Sequence, residues 1–140
     1  MSTLQRAIEI AVKAHSGQMR KGGSPYILHP MRVMLRQQTP EAMIVAILHD
    51  VVEDTAVTIE DLRREGFSDR VMEALSLLTH DESEPYEVYV RRVGAHPLAK
   101  AVKMADLLDN MNLTELPDLS EKDLTRAAKY HRAWKELGQV

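Results

Sequence analysis

A short ionisable segment directly after an apolar run is the part of this sequence that most plainly predicts chemistry. His49, Asp50, Glu53 and Asp54 fall within six positions, immediately after the aliphatic residues 44–48. A buried helix normally excludes such groups unless they are paired or bound to a metal. In a continuous helix His49 and Glu53 share one face, and Asp50 and Asp54 share the neighbouring face. Imidazole nitrogens beside carboxylate oxygens suit a divalent cation and a water bound to it, so the segment predicts a metal-dependent hydrolase.

Two further segments carry side chains that suit the same ion. His29 lies in the turn ILHP, and Asp106 lies among apolar residues in the segment AVKMADLLDN. Together with His49 and Asp50, these residues would bind one ion from three separate segments. The remaining coordination positions of the ion would stay open for water and substrate. Two alternatives remain: His29 could cap a helix, and Asp106 could form an ion pair with Lys103.

A second His-Asp pair has a different setting. His80 and Asp81 follow an apolar stretch and open the polar run DESE. This pattern is typical of a helix end followed by a solvated loop, so we expect no site there.

Composition and charge exclude several classes of function. The formal net charge of −3 argues against a non-specific nucleic-acid binder and against a polybasic membrane binder. The sequence has no cysteine, and it shows neither an apolar stretch of about 18 residues nor a signal-peptide pattern. We therefore expect a cytoplasmic protein without thiolate chemistry.

Helices are the elements expected to position these side chains. Apolar spacing, caps and Gly or Pro breaks predict helices over residues 4–17, 30–38, from 40 through His49 and Asp50, from 58, 68–79, 84–93, 97–111 and from 120 onward. Thr39, Thr58, Ser68 and Ser120 are the predicted N-caps. No strict apolar–polar alternation is sustained. The prediction is a single all-α domain, residues 1–140, with about seven or eight helices.

Four segments, taken in order, resemble one known family. RKGGSPYILHP, AILHDVVEDT, TIEDLRREGF and VKMADLLDNM follow one another as in the hydrolase domain of RelA/SpoT enzymes and in its stand-alone relatives, the small alarmone hydrolases. The similarity spans residues 5 to about 114. This family is a branch of the HD superfamily. The resemblance implies an HD-domain helical bundle.

The resemblance also implies roles for the site residues. Glu53 and Asp54 match the pair that positions and activates the attacking water. The family's metal ligands, which usually hold Mn²⁺, match His29, His49, Asp50 and Asp106.

Substrate and reaction follow from the same resemblance. Asn110 matches the residue that faces the 3′ side of the nucleotide, and Arg20 and Lys21 match the pair that brackets the guanine base. The family reaction removes pyrophosphate from the 3′ position of ppGpp or pppGpp, giving GDP or GTP. The expected partner is thus a small nucleotide. A synthetase activity is not expected, because only one helix is predicted after residue 114.

The chain departs from the family pattern near this site. The family commonly has Arg and His inside the last motif, where this chain has Leu107, Leu108 and Asp109, and Leu113 stands where a Thr often contacts the ribose. Asp109 adds a negative charge near a site for a polyanion. An HD phosphohydrolase for another phosphorylated nucleotide therefore remains a second interpretation. A non-catalytic nucleotide-binding module is a third, against which the extra carboxylates of Glu53 and Asp54 argue.

Overall fold

The computed structural model describes residues 2–139, and within this range the chain folds into a bundle of nine helices. In chain order they are α1 (Leu4–Ala14), α2 (Leu28–Leu35), α3 (Pro40–Leu48), α4 (Val51–Asp54), α5 (Ile59–Arg64), α6 (Asp69–Leu78), α7 (Tyr86–Gly94), α8 (Pro97–Asn110) and α9 (Glu121–Gly138). The predicted all-α class is confirmed.

The predicted N-caps are confirmed. The side chain of Thr39 accepts a hydrogen bond from the backbone N–H of Ala42, and Ser68 caps α6 in the same way. Thr58 and Ser120 each form a capping box with the Asp three residues on. These local hydrogen bonds satisfy N–H groups that have no partner within the helix, so each start is fixed by a short sequence signal.

The helix expected to run through His49 and Asp50 is instead broken at these two residues. α3 ends at Leu48 and α4 begins at Val51. The Nδ1 atom of His49 lies 2.5 Å from the Ala46 carbonyl oxygen, the acceptor that an unbroken helix offers to residue 50. A side chain that competes for a backbone carbonyl in this way favours a break. This break accounts for the ninth helix.

α2 also begins earlier than predicted, at Leu28 rather than Pro30. Pro30 then lies in the first turn of α2, where its missing N–H is not needed for a helical hydrogen bond. His29 is consequently a helical residue whose side chain is buried, not an exposed turn residue.

The centre of the bundle is α3. Val45, Ala46, Ile47 and Leu48 have no exposed surface, and α3 packs against α1, α2, α6 and α8. A helix that is apolar on all sides is stable in water only when other elements surround it. The ionisable segment is therefore held at the end of the most buried helix, where α2 and α8 also meet. None of the helices in residues 2–139 is long and apolar enough to span a membrane.

Candidate active site

Four side chains that suit a metal converge where α2, the α3–α4 junction and α8 meet. One ligand atom from each lies within 4.8 Å of every other, in the group His29, His49, Asp50 and Asp106. Three of these side chains are buried and Asp50 is half-buried. The structure thus brings together all four residues that the sequence analysis proposed as ligands.

Both imidazoles of this group are fixed by acceptors on their far side. The Nδ1 atom of His49 donates to the Ala46 carbonyl, and that of His29 donates to the Asp109 carboxylate at 2.6 Å. A carbonyl or an ionised carboxylate only accepts, so Nδ1 carries the proton in each ring. Each Nε2 atom is therefore the one that faces the group, which is the arrangement usual for a histidine ligand.

The two carboxylates face these Nε2 atoms. Asp106 Oδ1 lies 2.9 Å from His29 Nε2 and 3.1 Å from His49 Nε2, while Asp50 Oδ2 lies 3.4 and 3.1 Å from the same atoms. Burial alone would lower the pKa of His29, but hydrogen bonds to Asp106, Asp109 and Asp50 outweigh it and raise the pKa to about 10. The group therefore attracts positive charge strongly. Two imidazoles and two carboxylates around one point fit a divalent cation.

Asp106 uses its two oxygens for different partners. Oδ1 faces the histidines, whereas Oδ2 accepts a hydrogen bond from Lys103 Nζ at 2.9 Å. Burial lowers the pKa of Lys103, but the charge of Asp106 raises it well above the usual value. The ion pair with Lys103 is therefore compatible with a ligand role for the other oxygen of Asp106.

Glu53 and Asp54 lie on α4 at the open edge of this group. Both carboxylates are exposed, because α4 is a single short turn at the surface. Glu53 Oε1 accepts a hydrogen bond from the backbone N–H of His80. Partial desolvation by the surrounding protein atoms, together with the negative charge of Asp50, raises the pKa of both carboxyl groups, which suits a base.

Sequence reasoning missed Tyr26, which joins the metal-compatible group to Asp54. Its hydroxyl oxygen lies 2.6 Å from Asp50 Oδ2 and 3.1 Å from Asp54 Oδ2. Burial and the Asp50 charge raise the pKa of Tyr26, so the hydroxyl keeps its proton and acts as a donor. No local pattern marks this residue, because it lies in the loop before α2 and belongs to no helix face.

The expectation that His80 lies in a solvated loop is wrong for its side chain, which is half-buried. Its backbone N–H holds Glu53, and its ring packs against Tyr89 with the centroids 4.6 Å apart. Asp81 is exposed, as expected. The sequence pattern described a helix end correctly, but it could not show which side chain this backbone would meet.

A cavity of about 290 Å³ adjoins the group and contains the three residues proposed to contact substrate. Its lining includes Arg20, Lys21, Tyr26, Asn110, Arg126 and Tyr130. Asn110 Nδ2 donates to Asp106 Oδ1 at 3.2 Å, and its Oδ1 accepts from Arg20 at 3.2 Å. Asn110 therefore lies between the metal-compatible group and Arg20.

Arg20 and Lys21, the two lining cations proposed to contact the base, differ in their environment. The Arg20 side chain is 15% exposed and pairs with Asp109 at 2.9 Å and Glu115 at 3.1 Å. The Lys21 side chain is 60% exposed and pairs with Asp123 at 2.7 Å. Arg20 is therefore fixed by its partners, while the exposed side chain of Lys21 is freer to reach a ligand.

Comparisons with known proteins agree with this geometry. No protein-family model matches the chain. A guanosine-3′,5′-bis(diphosphate) 3′-pyrophosphohydrolase of Aquifex aeolicus is 34% identical over 120 residues, which are 77% of this chain and 17% of the relative. A GTP pyrophosphokinase of Streptomyces coelicolor is 35% identical over 121 residues, 77% of this chain and 14% of the relative. The chain thus spans less than one fifth of the length of these curated relatives.

A solved structure shares the fold. It is that of a metazoan ortholog of SpoT that hydrolyzes ppGpp, and it superposes with a TM-score of 0.77 at 22% sequence identity. The match covers 98% of this chain and 85% of the other. At this identity the likeness shows the helical architecture alone.

Proposed function

The chain is a homologue of the SpoT-type ppGpp 3′-pyrophosphohydrolases over most of its length, and from this premise we propose that it is a metal-dependent enzyme of that activity. It would convert ppGpp or pppGpp to GDP or GTP and pyrophosphate, with residues 1–140 as a single HD-type domain. One observation carries the proposal: two exposed carboxylates with raised pKa, Glu53 and Asp54, stand at the edge of a buried metal-compatible group beside a cavity.

The residues proposed to hold one divalent ion are His29, His49, Asp50 and Asp106, and the family resemblance makes Mn²⁺ the expected ion. Mixed nitrogen and oxygen donors are compatible with Mn²⁺. When bound, the ion would offset the charge of the 3′-diphosphate and lower the pKa of water.

Residues of this chain would then accept the proton and orient the reacting groups. Glu53, which the His80 N–H holds in place, takes a proton from the attacking water. The oxygen of this water forms a bond to the phosphorus next to the 3′ oxygen. The bond from that phosphorus to the 3′ oxygen breaks, and the 3′ oxygen leaves with the bonding electrons and takes a proton from solvent. Asp54, next to the Tyr26 hydroxyl, orients the water.

Arg20 and Lys21 are proposed to bracket the guanine base, with Asn110 on the 3′ side. A guanidinium plane stacks on a purine, and a Lys ammonium donates to the guanine O6 acceptor. The bridge from Asp106 through Asn110 to Arg20 is consistent with a base on one side and the reacting phosphate on the other.

Lys21→Ala is expected to raise the KM for a guanine nucleotide and to narrow its advantage over the adenine analogue, with metal content intact. The Lys21 side chain is exposed, and the buried Asp123 keeps its bonds to Ser120, so we expect the fold to persist. Steady-state kinetics on both nucleotides give the measurement. Lys122→Ala, which removes the same charge from an exposed position of α9, is the matched control. Equal guanine preference in the Lys21 variant and the wild type would contradict this role.

A second candidate is hydrolysis of another phosphorylated nucleotide, which Leu113 favours. Leu113 lines the cavity where family members often have a Thr that contacts the ribose. A substrate screen of the Mn²⁺-loaded protein separates these possibilities. The compounds are ppGpp, pppGpp, their adenosine analogues, and common nucleoside mono- and triphosphates. Preferred cleavage of the guanosine 3′-diphosphates supports the first proposal. Cleavage of another phosphoester alone supports the second, and binding without turnover would indicate a non-catalytic module.

A further inference from the structure

Asp109 stands where the family commonly has a histidine, and in this chain it is buried, with 7% of its surface exposed. Its carboxylate accepts four hydrogen bonds. His29 Nδ1 donates at 2.6 Å, Arg20 Nη1 at 2.9 Å, and Arg32 donates twice, from Nε at 2.6 Å and Nη2 at 3.0 Å. This set of contacts is unlike that of a solvated acid on a helix surface.

Two arginines compensate the charge of Asp109. Burial of a carboxylate is costly unless it is paired and hydrogen-bonded. Arg32, three residues after His29 on α2, contacts both oxygens in the two-point geometry that suits a guanidinium, and Arg20 adds a second positive charge. The sequence alone led us to expect a negative charge that repels a polyanion, but the structure shows a neutralised one.

Asp109 also sets the state of a proposed metal ligand. Its Oδ2 atom accepts from His29 Nδ1, so the proton is held on that nitrogen and Nε2 is directed to the metal-compatible group. The same Oδ2 atom accepts from Arg20, so one carboxylate oxygen connects the cavity with the metal-compatible group. Carboxylates in this position behind a metal-ligating histidine typically fix its ring and raise its basicity.

We propose that Asp109 is a positioning residue that orients His29 as an Nε2 ligand, with Arg20 and Arg32 as its counterions. This assignment rests on the proposed metal site. It makes the departure from the family pattern a functional substitution, in which a carboxylate held by Arg32 stands at the position where the family commonly has a histidine.

The test is the dissociation constant for Mn²⁺, measured by calorimetry on the metal-stripped full chain. Asp109→Ala should raise the Kd by about 10–100-fold, the usual effect of removing such a partner. Asp109→Asn keeps an acceptor oxygen for His29, so its Kd should lie between those of the wild type and the Ala variant. Asp109→His, which restores the family residue, should also weaken binding, because it places a third basic group beside Arg20 and Arg32.

A matched control and a second readout separate positioning from general destabilisation. Glu84→Gln alters a carboxylate that Arg92 holds in the same two-point manner on another part of the bundle, and its Kd should equal that of the wild type. The ¹⁵N shifts of His29 in the presence of Zn²⁺ should report Nε2 ligation with an Nδ1–H in the wild type, and a population of unligated rings in Asp109→Ala at the same Zn²⁺ concentration.

The results distinguish a failure of the Asp109 assignment from a failure of the proposed metal site. A wild type that binds Mn²⁺, together with Ala and Asn variants within twofold of its Kd, would overturn the role of Asp109 and leave the metal site standing. A wild type that binds no divalent ion would overturn the metal site and this assignment together. If the Ala variant does not fold, the Mn²⁺ Kd values of the Asn and His variants, compared with that of the wild type, test the role of Asp109.

Discussion

Glu53→Gln should lower the turnover of ppGpp by about 10²–10⁴-fold while the protein keeps its metal, because glutamine has the size of glutamate but cannot accept a proton. The amide oxygen still accepts the hydrogen bond from the His80 N–H, so the side chain is expected to stay in place. The loss should therefore appear in kcat, with the KM little changed.

Turnover and metal content, measured on one preparation, test the role of Glu53. Glu60→Gln is the matched control, since Glu60 is an exposed carboxylate on the next helix, α5, and should leave both quantities unchanged. Near-normal turnover in Glu53→Gln would remove this residue from the mechanism. A parallel loss of metal and activity would instead identify it as a ligand.

Asp106→Ala should lower the affinity for the divalent ion by about 10–100-fold or more. A loss of this size is typical when a residue that only hydrogen-bonds to a metal ligand is removed, and Asp106 is itself a proposed ligand. The variant removes the oxygen that faces both His29 and His49. It also leaves the buried ammonium of Lys103 without this partner, and breaking a buried pair typically costs about 3–5 kcal/mol. We expect the helical signal to persist at a lower melting temperature.

Asp106→Asn separates the metal from the fold. The amide keeps the size of the side chain and an acceptor oxygen, so it should be more stable than the Ala variant and still bind the ion poorly. Metal content by mass spectrometry and unfolding by circular dichroism give the two readouts. Unchanged metal stoichiometry in both variants, or anomalous density away from His29 and His49 in a metal-loaded crystal, would show that the assignment is wrong.

Three residues of the metal-compatible group could be predicted from the sequence because each is out of place locally. His49 and Asp50 end an aliphatic run, and Asp106 interrupts another, so chemistry was the simplest account of them. The helices could be predicted for a similar reason, since caps such as Thr39 and Ser120 act within three residues of themselves.

The rest depends on contacts that local patterns do not contain. The break at His49 arises because its ring competes for the Ala46 carbonyl, an effect that apolar periodicity does not report. The charge of Asp109 seemed repulsive because Arg32 and Arg20 are 77 and 89 positions away in sequence. Tyr26 was missed since a single Tyr in a glycine-bordered loop has no periodic signal.

The products of ppGpp turnover test the central proposal most directly. Metal-loaded protein would be incubated with ppGpp, and nucleotides and phosphates would be quantified over time by anion-exchange chromatography, with Glu53→Gln run in parallel. We predict that the wild type forms GDP and pyrophosphate in equal amounts, and that the variant forms both far more slowly. Stepwise release of orthophosphate, cleavage at the 5′ diphosphate, or no consumption of ppGpp by protein with its metal bound would contradict the proposal.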